Sequence, residues 1–252
     1  MNKKSRVTIL VKAYPQPSSR YSETVCCAGV DENRTWKRLY PIRFRQLEGN
    51  QAFKRWDIVD FEYGKPKNDS RIESCHVHEE SITTFGKITK PQHKSHLMDS
   101  VLQSGEAEAI SKGQSLTLIE PRNVQLIHRR RSTSEIADIE AKYASQTKQM
   151  TFFDKELSVL KACPFEFRFK YNDGDGSHNK RCEDWETSAA YEKFAKSYGE
   201  KQALQNLQDI YCNNYVRDGV FFALGNMASR PQTWMLLGVI RANRTSQSSL
   251  DI

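Results

Sequence analysis

The stretch CPFEFRFKYNDGDGSHNKRCEDWETSAAYEKFAKSYG, residues 163–199, decides the fold class of this chain. Aromatic residues alternate strictly with charged ones over residues 165–171, which is typical of a β-strand with one buried face. A segment rich in Gly, Asp and Asn follows and predicts a loop. Apolar residues then recur at helical spacing from Trp185 to Tyr198, and Gly199 is suited to end that helix. A strand and a helix joined by a loop predict an α+β architecture for the C-terminal part.

The same kinds of pattern continue on both sides of this stretch. A second helix is predicted over Glu200–Tyr215, and two apolar strands are predicted over Gly219–Leu224 and Thr233–Ile240. Upstream, Ser134 is expected to cap a helix that runs through Ala144.

The N-terminal part is β-rich. Strands are predicted over Arg6–Lys12, Glu23–Val30, Trp36–Tyr40, Phe53–Tyr63, Arg71–Val77, Ser115–Ile119 and Asn123–Ile127, with Pro41 ending the third. Short strands in this number suggest a small barrel of the OB or PUA type. We therefore divide the chain into a basic β-rich domain (1–132), a helix and linker (133–150) and an α+β domain (151–252).

The charge of the chain is concentrated in its first half. The 252 residues carry a formal net charge of +7, and residues 1–132 hold 23 Lys and Arg against 15 Asp and Glu. Such an asymmetry favours a polyanion partner for the first half. No apolar run is long enough to span a membrane, and six Cys are too few for a disulfide scaffold, so we expect a cytoplasmic protein.

The segment RTWKRLYPIRFRQL, residues 34–47, interleaves basic and aromatic residues without an acid. Guanidinium groups hold phosphate oxygens and aromatic faces stack on bases, so this pattern predicts nucleic-acid binding. A second cluster at 128–131 would extend the same surface. The predicted contacts are Arg34, Trp36, Lys37, Arg38, Tyr40, Arg43, Arg45, Lys54, Arg55, Arg129, Arg130 and Arg131. A buried aromatic core with a solvated basic face is the structural alternative.

The motif CEDWE, residues 182–186, places three acids around one Trp at a predicted helix start. The helix dipole alone would favour such acids. The functional alternative is a Mg²⁺-dependent nuclease site with Asp184, Glu186 and His178 as candidate catalytic residues. In that case Asp184→Asn should abolish function without lowering the melting temperature, and we favour this outcome from the sequence.

Cys163, His178 and Cys182 could share a zinc ion, because His178 and Cys182 have a spacing seen in zinc sites. A structural zinc site needs four ligands and the sequence offers three. We therefore expect no cofactor, with Mg²⁺ and Zn²⁺ as the alternatives.

The ordered motifs WKRLYPIRFRQL, CEDWE and FFALGNMASRPQTWMLLGV resemble those of an uncharacterised bacterial family. The resemblance spans most of the chain. It implies no activity and no catalytic residues, and it suggests a place in a mobile element or a phage-defence system.

These observations predict a nucleic-acid-binding protein that uses a basic and aromatic β surface. The alternatives are a metal-dependent nuclease with an acidic C-terminal site and a protein-interaction subunit of a larger complex.

Overall fold

The computed structural model describes residues 2–18, 22–147 and 161–242. Its N-terminal part contains, in chain order, β1 (Lys3–Lys12), β2 (Gln16–Ser18), β3 (Ser22–Asp31), β4 (Trp36–Ile42), β5 (Asp57–Gly64) and β6 (Ser74–Lys87). Strand β1 pairs with β5 on one side and with β3 on the other, which closes a five-stranded barrel in the order β1-β5-β6-β4-β3. All pairs in the barrel are antiparallel except β4 with β6. The predicted small barrel is therefore confirmed.

The barrel interior is filled by alternate residues of its strands, as the period of a strand requires. The interior side chains include Val7, Ile9, Val25, Cys27, Leu39, Ile42, Val59, Phe61, Cys75 and Val77. In β5 the buried face is Asp57, Val59 and Phe61.

Several strand boundaries differ from the prediction, among them three in the barrel. Strand β4 continues past Pro41 because the β3–β4 ladder shifts register there, so the missing N–H of Pro41 leaves no pairing gap. The strand predicted from Phe53 begins only at Asp57, since Trp56 has a left-handed φ of 74°. The polar residues after Val77 form the second half of β6.

The remaining elements are α1 (Pro91–Asp99), α2 (Glu106–Ser111), β7 (Leu116–Ile119), β8 (Arg122–Arg130), α3 (Thr133–Thr147), β9 (Phe165–Asp173), β10 (Gly176–Arg181), α4 (Trp185–Tyr198), α5 (Glu200–Gln208), α6 (Tyr215–Asp218), β11 (Val220–Met227) and β12 (Arg230–Arg241). A π-helical turn, Asp209–Asn214, joins α5 to α6. Helix α4 has the predicted bounds, and the predicted α+β class is confirmed.

Two predicted details of this part are wrong. Ser132, and not Ser134, caps α3, because the Ser132 hydroxyl accepts from the Glu135 N–H and the Glu135 carboxylate accepts from the Ser132 N–H. The predicted loop over 172–180 is a hairpin whose second strand is β10. The part of the predicted linker from residue 148 lies outside the described residues.

Strands β7 to β12 form two further sheets, β10-β9-β8 and β12-β11-β7. Strands β7 and β8 thus pair with C-terminal strands, although the division at residue 132 placed them in the first domain. The barrel and these sheets also share a core. Residues Ala28, Val30 and Trp36 on the outside of the barrel pack in one cluster with Leu116, Leu118, Phe221 and Leu237.

Candidate nucleic-acid interface

The outer face of β3 and β4, where the sequence placed the centre of its nucleic-acid surface, is covered by β7 and β11. Trp36 is 3% exposed and belongs to the shared core. Arg38 is also 3% exposed, and its guanidinium donates to the carbonyl of Ser115 at 2.9 Å and to the Ser115 hydroxyl at 3.2 Å. Glu73 accepts from the same Ser115 hydroxyl at 2.8 Å. These groups hold the barrel to the second part of the chain and do not reach solvent.

The other predicted barrel contacts have different surroundings. Arg34, Tyr40 and Lys54 are exposed, and the half-buried ones are Lys37, Arg43, Arg45 and Arg55. The guanidinium of Arg43 binds the carboxylate of Glu79 at 2.7 Å, and Lys37 binds Asp31 at 3.4 Å. The basic and aromatic residues of 34–56 are therefore divided between two regions. The seam is the buried contact between the barrel and the second part of the chain, and the rim is the exposed edge of the barrel.

Arg55 lies in the seam with Asp184. Its guanidinium donates to the carbonyl of Val239 at 2.7 Å and to the Asp184 carboxylate at 3.1 Å. The Asp184 side chain is 0% exposed, and it also accepts from the N–H of Val239 at 3.0 Å and from that of Glu186 at 3.3 Å. Asp184 therefore caps α4 and fastens it to β12. Burial raises the pKa of Asp184, and Arg55 opposes part of that rise.

Glu186 lies nearby but makes a different contact. Its carboxylate binds the ammonium of Lys12 at 2.7 Å, and Lys12 in turn lies over the rings of Phe44 and Trp185. Burial alone would raise the pKa of Glu186, but Lys12 and Arg55 hold it below its ordinary value. The two carboxylates are thus each neutralised by a cation of the barrel.

His178 makes its contacts with other residues. It binds the Asp173 carboxylate at 2.7 Å and stacks on Tyr171, which lies opposite it in the hairpin. Cys163 is eight residues from Tyr171 along the extended chain, about 26 Å away at strand spacing. Cys182 contacts Thr187 at the start of α4. His178 is therefore separated from Cys163, and in the described ranges no group of three His, Cys, Asp or Glu could hold a metal ion.

The outer side of the β10-β9-β8 sheet is a basic surface. Register, exposure and, for Asn123, a hydrogen bond to Asn172 place on it a set of residues that we call the basic sheet face: Asn123, Gln125, Ile127, Arg129, Glu166, Arg168, Lys170, Asn172, Ser177, Asn179 and Arg181. It carries four cations, four amides and one carboxylate. Successive rows lie two residues apart along a strand, about 6.8 Å.

The single carboxylate of this face is shared among several guanidiniums. Glu166 lies 3.3 Å from Arg129, 3.6 Å from Arg168 and 3.8 Å from Arg131. Arg168 also lies directly opposite Arg181 in the ladder, and like charges in that position repel. Two acids at the edge of the face, Glu135 and Glu183, bind Arg129 and Arg181. The positive charge that no neighbouring acid neutralises is therefore centred on Lys170 and its neighbour Arg168.

Lys170 is at the centre of the face, between Gln125 and Asn179. It is exposed and has no ion-pair partner among the residues that the structure describes. Its neighbours are amides, which both donate and accept hydrogen bonds. The Oδ1 of Asn179 accepts from the Arg168 guanidinium at 2.9 Å, which ties this row to the next one.

The predicted cluster Arg129–Arg131 borders this face. Arg129 belongs to the face and binds Glu135 through both terminal nitrogens at 2.9 Å. Arg130 points to the other side, where it binds Glu200 and covers the Phe165 ring. Arg131 donates to the carbonyl of Cys163 at 3.2 Å at the end of the sheet.

Sequence reasoning missed the remaining cations of the face, Arg168, Lys170 and Arg181. The alternation over 165–171 that predicted the buried aromatic side of β9 also contained two of them, because its intervening residues are charged. Only the pairing of β9 with β8 and β10 brings these residues beside Arg129.

Two family models match the chain. The model described as Domain of unknown function (DUF8758) matches residues 3–103, and the one described as Domain of unknown function (DUF8757) matches residues 94–251. A search of the curated proteins returns no match. The two matches meet in α1, which follows the last barrel strand. None of the helices within the described ranges combines the length and apolarity needed to cross a lipid bilayer.

Proposed function

Since the chain belongs to the family described as Domain of unknown function (DUF8757), which agrees with the predicted resemblance, we propose its function from its own geometry: it binds nucleic acid through the basic sheet face. The observation that carries this proposal is the row of Lys170 with Gln125 and Asn179, flanked by the facing pair Arg168 and Arg181.

Two physical arguments support the proposal. Lys170 is an exposed cation without an ion-pair partner among the described residues, and a phosphate backbone supplies anions at regular spacing. The amides beside these cations contribute directional hydrogen bonds, which allow contact with bases and sugars as well as with phosphates.

The barrel supports this function as a scaffold. It holds the second part of the chain through the Arg38 and Arg55 contacts, and its exposed rim, with Arg34, Tyr40 and Lys54, is a predicted second contact region. A role in the bacterial cytoplasm, within a mobile element or a phage-defence system, remains a prediction, as does the alternative of an interaction subunit.

Nuclease chemistry has less support. In the described part of the chain the candidate catalytic residues Asp184, Glu186 and His178 each bind a different protein group. We therefore give binding priority over cleavage.

The test compares two variants with the same change in net charge. Lys170→Glu alters the centre of the face, and Lys67→Glu alters an exposed position in the β5–β6 loop. Dissociation constants for labelled single-stranded DNA, single-stranded RNA and duplex DNA are measured at several salt concentrations between about 50 and 200 mM.

We expect Lys170→Glu to weaken binding and to flatten the salt dependence by about one unit of slope, while Lys67→Glu leaves both near the natural values. Equal losses in the two variants would mean that only net charge matters. Absence of binding by the natural protein at the lowest salt would refute the proposal outright.

A further inference from the structure

A cavity of about 360 Å³ opens at the end of the basic sheet face. It lies between α3, the start of β9, the end of β10 and the first turns of α4. Arg181 belongs to the face, and Arg131 binds the acid of the face, Glu166. Both line the cavity, so its entrance is continuous with the surface proposed to bind phosphates.

One wall of the cavity is aromatic. Phe165 and Phe167 form part of the lining, and Tyr191 packs edge-on or tilted against both rings from behind. Burial raises the pKa of the Tyr14 hydroxyl to about 12 and that of the Cys163 thiol to about 11, so both groups are neutral at physiological pH. Flat aromatic walls of this kind suit a planar ring system.

A buried carboxyl group lies beside this aromatic wall. Glu183 is 9% exposed, and the Arg181 guanidinium binds it at 2.5 Å. Burial raises the pKa of Glu183, with Arg181 and Arg131 opposing the rise. A fixed carboxyl group beside aromatic rings can hydrogen-bond the amino or ring N–H groups on the edge of a base. The volume matches the lower end of small-ligand sites, which is the size needed for one base with its sugar.

We propose that this cavity receives one unpaired nucleobase of a strand held on the basic sheet face. The inference rests on the proposed function for the strand, and it adds a base-recognising site to it. Arg131 and Arg181 hold the phosphates at the entrance, the rings of Phe165 and Phe167 contact the base, and Glu183 binds its edge.

The test uses the full chain and two single strands about twelve nucleotides long, one of normal DNA and one with the same backbone but without bases. Ser188 lines the cavity from α4, so Ser188→Phe fills it and Ser188→Ala leaves it open. The natural protein and Ser188→Ala should bind the normal strand about 5- to 150-fold more tightly than the baseless one. Ser188→Phe should lose most of this preference and keep its affinity for the baseless strand.

The outcomes separate the two proposals. If the natural protein binds neither strand, the proposed function fails. If it binds both strands equally, or if folded Ser188→Phe keeps the preference, strand binding stands and the base site is refuted. If Ser188→Phe does not fold, Ile139→Trp fills the cavity from α3, and 2-aminopurine in the strand gives an independent measurement on the unaltered protein. The fluorescence of 2-aminopurine should be quenched when the base lies against the aromatic wall, and an unchanged fluorescence on binding would overturn the base site.

Discussion

Replacing Asp184 by Asn is the sharpest test of how the two parts of the chain are joined. The two carboxylate oxygens accept hydrogen bonds from Arg55, from the N–H of Val239 and from the N–H of Glu186. An amide of the same shape must turn its NH₂ group toward one of these donors, so at least one buried donor loses its acceptor. The charge that neutralises Arg55 is lost as well.

The expected cost follows from these losses. Leaving a buried cation without its partner costs about 3–5 kcal/mol. An unmade hydrogen bond to a buried N–H costs about 1–3 kcal/mol, and the two effects overlap because one side chain causes both. We expect Asp184→Asn to lower the free energy of unfolding by about 3–5 kcal/mol. In a chain of this size that lowers the melting temperature by about 6–20 °C.

The assay is urea and thermal denaturation of purified variants, with an unchanged m value as the condition for comparing midpoints. Glu62→Gln is the control, because Glu62 is 35% exposed, its partner Lys4 is 84% exposed, and loss of this ion pair should cost about 1 kcal/mol or less. Adding Arg55→Met to Asp184→Asn should recover stability, since no buried charge is then left unpaired. A melting temperature that holds or rises in Asp184→Asn would refute this reasoning and support the functional site that the sequence favoured.

Two further predictions concern the barrel. Burial alone would raise the pKa of Asp69, but hydrogen bonds from Arg71 and Ser74 hold it at about 2, so the stability that they provide is present above a pH of about 4 and is lost as the pH falls to about 2. Urea midpoints measured across this range should therefore fall less steeply in Asp69→Asn than in the natural protein, and parallel curves would contradict the assignment. Gly29→Ala would place its Cβ 2.4 Å from the carbonyl oxygen of Thr8 and should lower the free energy of unfolding by about 1–3 kcal/mol or more. Gly86→Ala has no atom within 4 Å of its Cβ and should lower it far less in the same denaturation assay.

Local patterns predicted the elements that depend on local forces. The helix Trp185–Tyr198 has the predicted bounds because Asp184 caps one end and Gly199 follows the other. The aromatic alternation of β9 likewise predicted a strand, since only an extended backbone places every second side chain on the same face.

The candidate site depended on contacts that no local pattern contains. Trp36 and Arg38 have the composition of a binding surface, but strands more than seventy residues away along the chain cover them. Asp184 has the appearance of a catalytic acid, but Arg55 from the barrel neutralises it. The basic sheet face exists only once β8, β9 and β10 are paired, so its cations are dispersed in the sequence.

Strands β7 and β11 cover the outside of β3 and β4, and this limits which proteins can contain the first matched region without the second. Ala28, Val30 and Trp36 would form a bare apolar patch if residues 3–103 occurred in a chain without strands equivalent to β7 and β11. Such patches attract other proteins or cause aggregation. A natural chain that carries the first region alone should therefore occur with a separate companion protein that supplies the missing strands.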